Sequence, residues 1–493
     1  MNDLVIIGGG PSGLALAQCM LHDTKIQKIR IIERESDIGG CHRVERVSKS
    51  QLFTEHGPRV YSSAYLVFQQ LLEEMGVSYT DYFTPYKFKI AEIGGQTVFS
   101  TLRWRELGLF TFEFTLLIIN KNHGRNQVLL DYLTRHRFTD KSIELINRLC
   151  TLTDGGGADK YTLYEFLQLF NQQLFYTLYQ PIIPNDVGLF TLWRNYLLQS
   201  GRVEFLIHTD VHRLNVNPTT QLIDAITIVK NNKVEHVRIT PETRVVLAIP
   251  PKAFIPIFNN SAPIVRNSFG DYNAFMTYVN NTAYIDYISI TFHWYTHLQL
   301  DKVYGFPNSE WGIAFIVLTD YMKFEQKQSK TVISAAITLL DRVSSHINKT
   351  ANQCANKTEL IEETLAQLRL AFPSLPEPDI ALISPGVYYD EMSKKYKCKD
   401  TAFISTSGHP FMQFQSPSIR NLYTVGTHTG KHTYSFTSME SAVSNSVALA
   451  HIFHPSTKQH YKLKSVVTFA EIVRLLIFLC ILGCIFYFIW VKI

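Results

Sequence analysis

The sequence predicts an α/β protein that begins with a parallel sheet and ends in a transmembrane helix. The sheet is predicted from residues 4–20, LVIIGGGPSGLALAQCM, where a β-branched run, a glycine-rich turn and an Ala/Leu-rich segment follow one another. The transmembrane helix is predicted from residues 475–491, LLIFLCILGCIFYFIWV, which carry no charge. At 493 residues the chain is too long for one hydrophobic core, and its length indicates about three domain-sized units.

The first element is predicted as a strand followed by a tightly packed helix. Residues 4–7 are too few for a buried helix and rich in β-branched side chains, which favours a strand covered on both faces. Residues 14–18 are good helix formers with small side chains. The helix N-terminus, which includes Pro11 and Ser12, would present free N–H groups to phosphates. The spacing G-x-G-x-x-G allows a sharp turn, close approach of a pyrophosphate and helix–strand contact at Gly8, Gly10 and Gly13.

A second strand is predicted at residues 29–32, and Glu33 and Arg34 follow it directly. Glu33 lies 20 residues after Gly13, where a carboxylate binds the ribose hydroxyls of an adenosine. An isolated glutamate after a strand is usually a surface residue. Here strand, glycine turn, helix, strand and acid stand in the order of a Rossmann-like dinucleotide site, which makes that interpretation the better one.

The next stretch, ERESDIGGCHRVERV, resembles the second signature of the flavin-containing amine oxidoreductase superfamily, which includes monoamine oxidases, protoporphyrinogen oxidases and phytoene desaturases. The resemblance implies that Gly39 and Gly40 pass close to the pyrophosphate of FAD. Cys41 stands where the family commonly has Arg, and Arg43 is the candidate to supply the missing charge. FTEHGPRVYSS resembles the family's next flavin-lining turn, whose matching residues are Gly57, Pro58 and Arg59.

Two later segments extend the resemblance. LIHTDVHRLNVN and TRVVLAIPPKAF are similar to a returning strand pair, of which the first implies a backbone contact to adenine near Val211. NLYTVGTHTGKHTYSFTSMESAVSNSVALAHIF resembles the closing motif of strand, loop and helix, in which the helix dipole faces the flavin. The family usually has Asp or Glu where this chain has Thr427. The residues implied at the flavin are Gly426, Thr427, Met439 and Ala442.

The order of these motifs implies a Rossmann-like FAD-binding domain interleaved with a substrate domain of mixed sheet and helices. The aromatic-rich residues 161–180 are predicted as an amphipathic helix and residues 287–300 as a strand. The predicted segments are the FAD-binding domain at 1–85, 205–255 and 385–455, the substrate domain at 86–204 and 256–384, a basic linker at 456–474 and the membrane anchor at 475–491.

The resemblance implies an FAD-dependent oxidase or dehydrogenase in which hydride passes from an amine or another lipid-soluble small molecule to flavin N5. Aromatic side chains flank the substrate in the amine oxidases, so Tyr434 and Phe436 are the catalytic candidates, with core packing as the equal alternative. Cys398, in KKYKCKD, is expected to be solvent-exposed and not linked to the flavin. No metal motif is evident. The alternatives are a protoporphyrinogen oxidase-like or phytoene desaturase-like dehydrogenase and a non-catalytic flavin-fold membrane scaffold.

The C-terminal run indicates a single-pass anchor. Its seventeen residues lie at the short end of the ~17–25 that a spanning helix needs, and a core helix would need polar positions on its outer face. Basic residues before the run favour a catalytic domain on the cytoplasmic side, and seven scattered cysteines fit a reduced compartment. The net charge of +5 without a long basic run gives no indication of nucleic-acid binding, and the oligomeric state is left open.

Overall fold

The structure is a computed structural model that describes residues 2–47, 50–87, 89–90, 101–282, 284–300, 303–305, 309–324, 329–399, 402–403, 413–430 and 434–492. Its helices, numbered in chain order, are α1 (Pro11–Met20), α2 (Leu66–Glu74), α3 (Tyr79–Tyr82), α4 (Trp104–Ile119), α5 (Leu129–Arg135), α6 (Asp140–Asp154), α7 (Leu163–Gln173), α8 (Thr191–Gln199), α9 (Phe254–Asn259), α10 (Pro263–Arg266), α11 (Tyr272–Asn281), α12 (Lys357–Ala371), α13 (Met439–Phe453) and α14 (Phe469–Lys492).

A parallel sheet forms the centre of the first layer, as the sequence predicts. Its central strand is covered on both faces: Leu4 and Ile6 pack with α1 and α13, whereas Val5 and Ile7 pack with α9 and with a small antiparallel sheet. This alternation follows from the two-residue period of a strand. Within the described residues the sheet has five strands, in the spatial order Leu422–Thr424, Arg244–Leu247, Asn2–Ile7, Ile26–Ile32 and Val203–Leu206.

Antiparallel sheets complete the strand structure. The small sheet on the second face of the parallel sheet has the strands Thr209–Val216, Ile223–Lys230 and Lys233–Arg238. Smaller antiparallel groups are also present among the described residues. One has three strands, Tyr61–Ser62, Leu178–Pro181 and Phe83–Pro85, and four are pairs: Val44–Arg46 with Phe53–Glu55, Tyr284–Ile285 with Ala402–Phe403, Val343–Ser344 with Lys349–Thr350, and Val387–Asp390 with Lys395–Cys398.

A larger mixed sheet carries a second core. The predicted strand at 287–300 is present at Ile288–Trp294, and every residue of it is buried. Leu360, Leu365 and Leu368 of α12 pack on this sheet. Among the described residues the spatial order of its strands is Ile380–Ile383, Ile288–Trp294, Thr331–Ile337, Ile313–Val317, Val303–Gly305 and Lys89–Ile90.

A helical layer, α4 to α7, forms a third core. The amphipathic helix predicted at 161–180 is present only as α7, which begins at Leu163 and ends at Gln173. The prediction is wrong for the second half of that range, because Leu178–Pro181 is a strand that pairs with residues 61–62 and 83–85. Backbone pairing with distant segments therefore overrides the local helical pattern.

The last helix, α14, begins at Phe469, six residues before the uncharged run. Its first turns pack against the helical layer: the Phe469 ring lies 5.8 Å from the Phe114 ring, and the Ala470 N–H donates to Asn171 Oδ1 at 2.9 Å. Beyond Arg474 the described side chains are exposed, except that of Leu482, which is half-buried. The span Phe469–Tyr487 is long and apolar enough to cross a membrane.

Candidate functional site

The first glycine turn brings α1 directly onto the central strand. Gly8 has a φ of +112°, and a Cβ there would lie 2.5 Å from the carbonyl oxygen of Ala248. A Cβ on Gly13 would lie 2.1 Å from the carbonyl oxygen of Gly8. Neither position has room for a side chain, because the obstructing atoms belong to the backbone. The turn therefore leaves backbone alone facing the N-terminus of α1, as a pyrophosphate site requires.

The second glycine turn meets the first one at this helix N-terminus. The Gly39 N–H donates to the carbonyl oxygen of Gly9 at 2.9 Å, and a Cβ on Gly40 would lie 3.1 Å from the Cα of Gly10. The first turn of α1, with Pro11 at its start and Ser12 next, has no side-chain cap on its N–H groups. Two side-chain-free turns and uncapped N–H groups fit the diphosphate of a dinucleotide.

Glu33 ties this glycine turn to the end of the second strand. Its Oε2 accepts from the Gly9 N–H at 2.7 Å, and its Oε1 accepts from the Glu35 N–H at 2.9 Å. Burial raises the pKa of Glu33, while these two hydrogen bonds and Arg43 oppose the rise. A carboxylate has about four acceptor sites, so two remain for ribose hydroxyls.

The two arginines predicted near the phosphates are paired with carboxylates of the same region. Arg34 donates to Glu35 at 2.9 Å, and its side chain is largely exposed. Arg43 is buried, donates to Glu45 at 3.0 Å and lies 3.7 Å from Glu35. The positive charge of Arg43 is therefore balanced by carboxylates as well as being close to the glycine turns.

Val211 lies beside the Glu33 segment. The Thr209 N–H, two residues earlier in the same strand, donates to the Glu33 carbonyl oxygen at 2.9 Å. The Val211 side chain is buried in the core that contains Val5 and Ile7. Because its side chain points into that core, Val211 can offer a nucleotide only its backbone, as the resemblance implies.

The closing helix α13 packs side by side with α1. The Ser446 hydroxyl donates to the Ser12 carbonyl oxygen at 2.8 Å, and the Ser12 hydroxyl donates to the Ala442 carbonyl oxygen at 3.4 Å. The Ser446 and Ser12 side chains therefore link the two helices. The beginning of the chain and the helix that starts at Met439 are thus in direct contact, although 430 residues separate Ser12 from Ala442.

The strand end before α13 is tied to that helix. Gly426 follows the strand Leu422–Thr424, and its carbonyl oxygen accepts from Asn445 Nδ2 at 2.7 Å. Thr427 opens a short 3-10 turn. Met439 and Ala442 are buried in the first turns of α13, and the Ser438 hydroxyl caps the helix by accepting from the Ser441 N–H at 3.1 Å.

The flavin-lining turn predicted at residues 57–59 lies against the second glycine turn. The Arg59 guanidinium donates to the carbonyl oxygen of Cys41. A Cβ on Gly57 would lie 2.9 Å from the ring of Tyr287, so this turn also contacts the larger mixed-sheet region. Pro58 is half-buried between these contacts.

Polar side chains, most of which the sequence did not single out, gather around this turn. His56 Nδ1 lies 3.6 Å from Cys398 Sγ, His42 Nδ1 lies 3.2 Å from the Tyr61 hydroxyl, and Asn185 Nδ2 donates to that hydroxyl at 3.1 Å. We refer to this group as the Glu55 cluster, which comprises Glu55, His56, Tyr61, Asn185 and Cys398 with the half-buried His42 and Arg59.

The Glu55 cluster contains acceptors and donors that the protein leaves unused. Glu55 Oε1, His56 Nε2 and Asn185 Oδ1 are buried and make no hydrogen bond among the described residues. Burial raises the pKa of Glu55 to about 7, and burial together with Arg59 lowers the pKa of His56. Buried polar atoms normally have partners, so these three atoms point to a polar ligand.

The predicted exposure of Cys398 is wrong. Its sequence surroundings predict an exposed thiol, but only 4% of Cys398 is exposed, because the strand Lys395–Cys398 pairs with Val387–Asp390 and turns this side chain inward. The signal that could have found the cluster was the pair Glu55–His56 inside the EHGPR motif.

Tyr434 and Phe436 lie in the first core, next to α2. Their ring centroids are 5.4 Å apart with planes at 73°, and the Tyr434 ring lies 5.7 Å from that of Tyr65. The Tyr434 hydroxyl accepts from Gln173, and Tyr434 lines a cavity of about 380 Å³. Phe436 is buried by its neighbours and is not part of the described lining of that cavity.

Comparisons with known proteins bear on the fold. Residues 6–75 match the NAD(P)-binding Rossmann-like domain family. None of the curated proteins matches the sequence.

Solved structures match nearly the whole chain. Putrescine oxidase with bound putrescine has 12% identity and a TM-score of 0.62. A protein assigned as a protoporphyrinogen oxidase from Exiguobacterium sp. 255-15 has 14% identity and a TM-score of 0.60. Cyclohexylamine oxidase from Brevibacterium oxydans IH-35A has 13% identity and a TM-score of 0.58. Each match covers 92% of this chain and 99% of the other.

At these identities the similarity shows the fold.

Among the described residues, no group of three or more His, Cys, Asp or Glu could hold a metal ion. The predicted fold is confirmed: the chain has a Rossmann-like domain at residues 6–75 and shares its overall fold with these three solved oxidases.

Proposed function

We propose that the protein is an FAD-dependent oxidoreductase that removes hydride from an amine. The observation that carries this proposal is the contact of α1 with α13, since it brings two side-chain-free glycine turns and the N-terminus of the closing helix to one end of the parallel sheet. Three solved oxidases share the fold, and two of them are named for an amine substrate.

The residues present fit FAD along the whole site. Glu33 and the backbone near Val211 would hold the adenosine, and the two glycine turns with the first turn of α1 would hold the pyrophosphate. The turn at 57–59, the strand end at Gly426 and the N-terminus of α13 would line the isoalloxazine. The bound flavin would supply the hydride acceptor, and the protein would position the substrate and exclude water.

The Glu55 cluster favours an amine over a wholly apolar substrate. A protonated amine carries several N–H donors, and Glu55 Oε1 and Asn185 Oδ1 are buried acceptors without a partner in the described chain. A carboxyl with a pKa of about 7 exchanges a proton efficiently near neutral pH, so Glu55 is suited to take a proton from a bound ammonium. A polyene offers no donor to these atoms, which makes the phytoene desaturase-like alternative weaker.

A non-catalytic scaffold is the second candidate function. It is favoured by Thr427, which carries no charge where the family usually has a carboxylate, and by Arg43, which is paired with Glu45 and Glu35. A porphyrinogen, which carries pyrrole N–H donors, is the alternative substrate within the enzyme class.

We also propose that α14 anchors the protein as a single-pass C-terminal helix with the folded domains on the cytoplasmic side. The described part of the span, Phe469–Tyr487, is long and apolar enough to cross a bilayer, and 6% of it is buried. Lys458, Lys462, Lys464 and Arg474 precede or begin the uncharged run, as the positive-inside rule requires.

The test uses the full chain purified in a mild detergent. The expected result is one FAD per chain, identified by chromatography after denaturation, and anaerobic bleaching of the flavin spectrum by putrescine or cyclohexylamine. Bleaching by protoporphyrinogen and not by amines would select the alternative substrate. A folded, colourless protein would refute the flavin assignment, and a yellow protein bleached by none of these donors would select the scaffold.

A further inference from the structure

A cavity of about 380 Å³ lies where α14 leaves the folded domains. Its walls come from the end of α4 and the loop after it, from α7, from the segment before α13 and from the first turns of α14. We call it the anchor-root cavity. The lining residues that matter to its chemistry are Lys121, Arg125, Tyr164, Glu165, Glu471 and Arg474.

The two carboxylates of this cavity are engaged in helix caps. Glu165 Oε2 accepts from the Thr162 N–H at 2.8 Å and from the Thr162 hydroxyl at 2.9 Å. Glu471 Oε2 accepts from the Thr468 N–H at 3.0 Å. These hydrogen bonds hold both carboxylates at the starts of their own helices, where negative charge is stabilised by the helix dipole.

The cations of the cavity have no carboxylate partner. Among the described residues, neither Lys121 nor Arg125 is within ion-pair distance of an acid. Arg125 lies with its guanidinium carbon 4.3 Å from the centre of the Tyr164 ring and donates to the Tyr164 hydroxyl at 3.1 Å, while its Nε is buried without a hydrogen-bond partner. Arg474 donates to the Leu117 carbonyl oxygen at 2.8 Å. The described lining therefore carries three cations against two carboxylates, and none of these cations is within ion-pair distance of a described acid.

The position of the cavity along α14 corresponds to the headgroup layer of a bilayer. Thr468, Glu471 and Arg474 line it at intervals of three residues. The distance from the first to the last of them is about 9 Å along a helix axis. The uncharged run begins at the next residue, Leu475. The polar layer on each side of the hydrocarbon core is roughly 5–8 Å thick, so the lining and the headgroups occupy the same depth.

Exposed apolar side chains lie on the same two helices as residues of the cavity lining. Ile119, at the end of α4 and two residues from Lys121, is 77% exposed, and Phe112 on the same helix is 58% exposed. Phe170 of α7 and Leu174 just after it are also exposed, and the neighbouring Asn171 contacts the first turn of α14. Cationic side chains beside exposed apolar ones match a ligand that has an anionic head and a hydrocarbon tail.

We propose that the anchor-root cavity binds the phosphate-bearing headgroup of an anionic phospholipid, with Lys121 and Arg125 contacting the phosphate. The acyl chains lie along the exposed apolar side chains of α4 and α7. Free phosphate carries the same anionic group as the lipid headgroup. The adjoining apolar surface favours the lipid over free phosphate as the ligand. The proposal rests on the membrane anchoring proposed above and is independent of the flavin reaction.

The test measures lipid binding to the full chain in detergent by native mass spectrometry. Dioctanoyl-phosphatidylglycerol, dioctanoyl-phosphatidylcholine and inorganic phosphate are the three probes. Each Lys or Arg near an anionic lipid surface contributes about fivefold in binding. The double variant Lys121→Gln/Arg125→Gln is therefore expected to bind phosphatidylglycerol about 25-fold more weakly than the wild-type chain, with phosphatidylcholine binding unchanged. The matched control is Lys233→Gln/Arg238→Gln, on the outer strand Lys233–Arg238, and is expected to leave all binding unchanged.

Three outcomes would overturn the proposal: equal binding of both lipids by the wild-type chain, equal loss in the two double variants, or binding of inorganic phosphate as tight as that of phosphatidylglycerol. Circular dichroism confirms that each variant is folded. Carbonate extraction of membranes tests the membrane anchor separately from the headgroup site. A chain that resists extraction but shows no preference for phosphatidylglycerol refutes the headgroup site alone, whereas an extractable chain refutes the anchoring on which it rests.

Discussion

Replacing Glu55 with Gln tests whether burial holds this carboxyl in its protonated form. Glu55 is buried beside His56 and Arg59, and burial raises its pKa from 4.5 to about 7. Glutamine has nearly the same shape as a protonated glutamic acid and cannot ionise. The variant therefore keeps the packing of the folded chain and removes only the titration.

The sign and the magnitude follow from the two pKa values. Below pH 4.5 the carboxyl is protonated in both the folded and the unfolded chain. Between pH 4.5 and 7 the unfolded chain releases the proton while the folded chain retains it, so the free energy of unfolding decreases as the pH rises. With about 1.36 kcal/mol for each pKa unit, the decrease attributable to Glu55 is about 3 kcal/mol and is complete above pH 7.

The assay is urea unfolding of the full chain in detergent at pH 5 and pH 8, followed by tryptophan fluorescence. The Glu55→Gln variant is expected to lose less stability than the wild-type chain between these pH values, by about 2.5 kcal/mol. Infrared spectroscopy should also show a weaker protonated-carboxyl band at pH 6 in the variant than in the wild-type chain, because Glu440, whose pKa burial also raises to about 7, contributes to the band in both. Glu242→Gln, at an exposed glutamate, is the control and should change neither measurement. An identical pH dependence in Glu55→Gln and wild type would refute the reasoning.

Three further substitutions test the proposed nucleotide site and the proposed membrane anchor. Gly13→Ala would place a Cβ 2.1 Å from the Gly8 carbonyl oxygen, so FAD content should fall and stability should drop by about 1–3 kcal/mol, whereas Gly108→Ala, which has open space, should keep both. Glu33→Ala should weaken FAD retention about tenfold or more in equilibrium dialysis, and unaltered retention would make the ribose assignment wrong. Leu479→Arg should cost about 2.5–3.5 kcal/mol of membrane insertion, seen as release by carbonate extraction, and full retention would contradict a spanning α14.

The Rossmann-like start of the chain was predictable because the sequence features that indicate it lie within short segments. Gly8 and Gly13 lie within one turn, and the strand, helix and strand around them each follow from a short run of residues. The close approach of Gly13 to the Gly8 carbonyl is the steric reason for the glycine that the motif requires. The C-terminal helix was predictable for the same reason, since the uncharged run that indicates it, residues 475–491, is one continuous segment.

The rest of the site depends on contacts between distant residues. His56 and Cys398 are 342 residues apart, and Tyr61 and Asn185 are 124 apart, so no periodicity within one segment relates them. Residues 178–181 form a strand despite their helical pattern, because their ladder partners come from residues 61–62 and 83–85.

The glycine-rich Rossmann-like turn, the alternation of parallel strands with helices and the apolar C-terminal helix can be predicted from local sequence, since each is a property of neighbouring residues and of their periodicity. Three features follow from the packing of the folded chain: which polar groups are buried together at Glu55, which face of α13 meets α1, and where the cations at the root of α14 lie. Burial and side-chain partnership are properties of packed surfaces, and packing joins segments whose separation along the chain carries no signal of their contact.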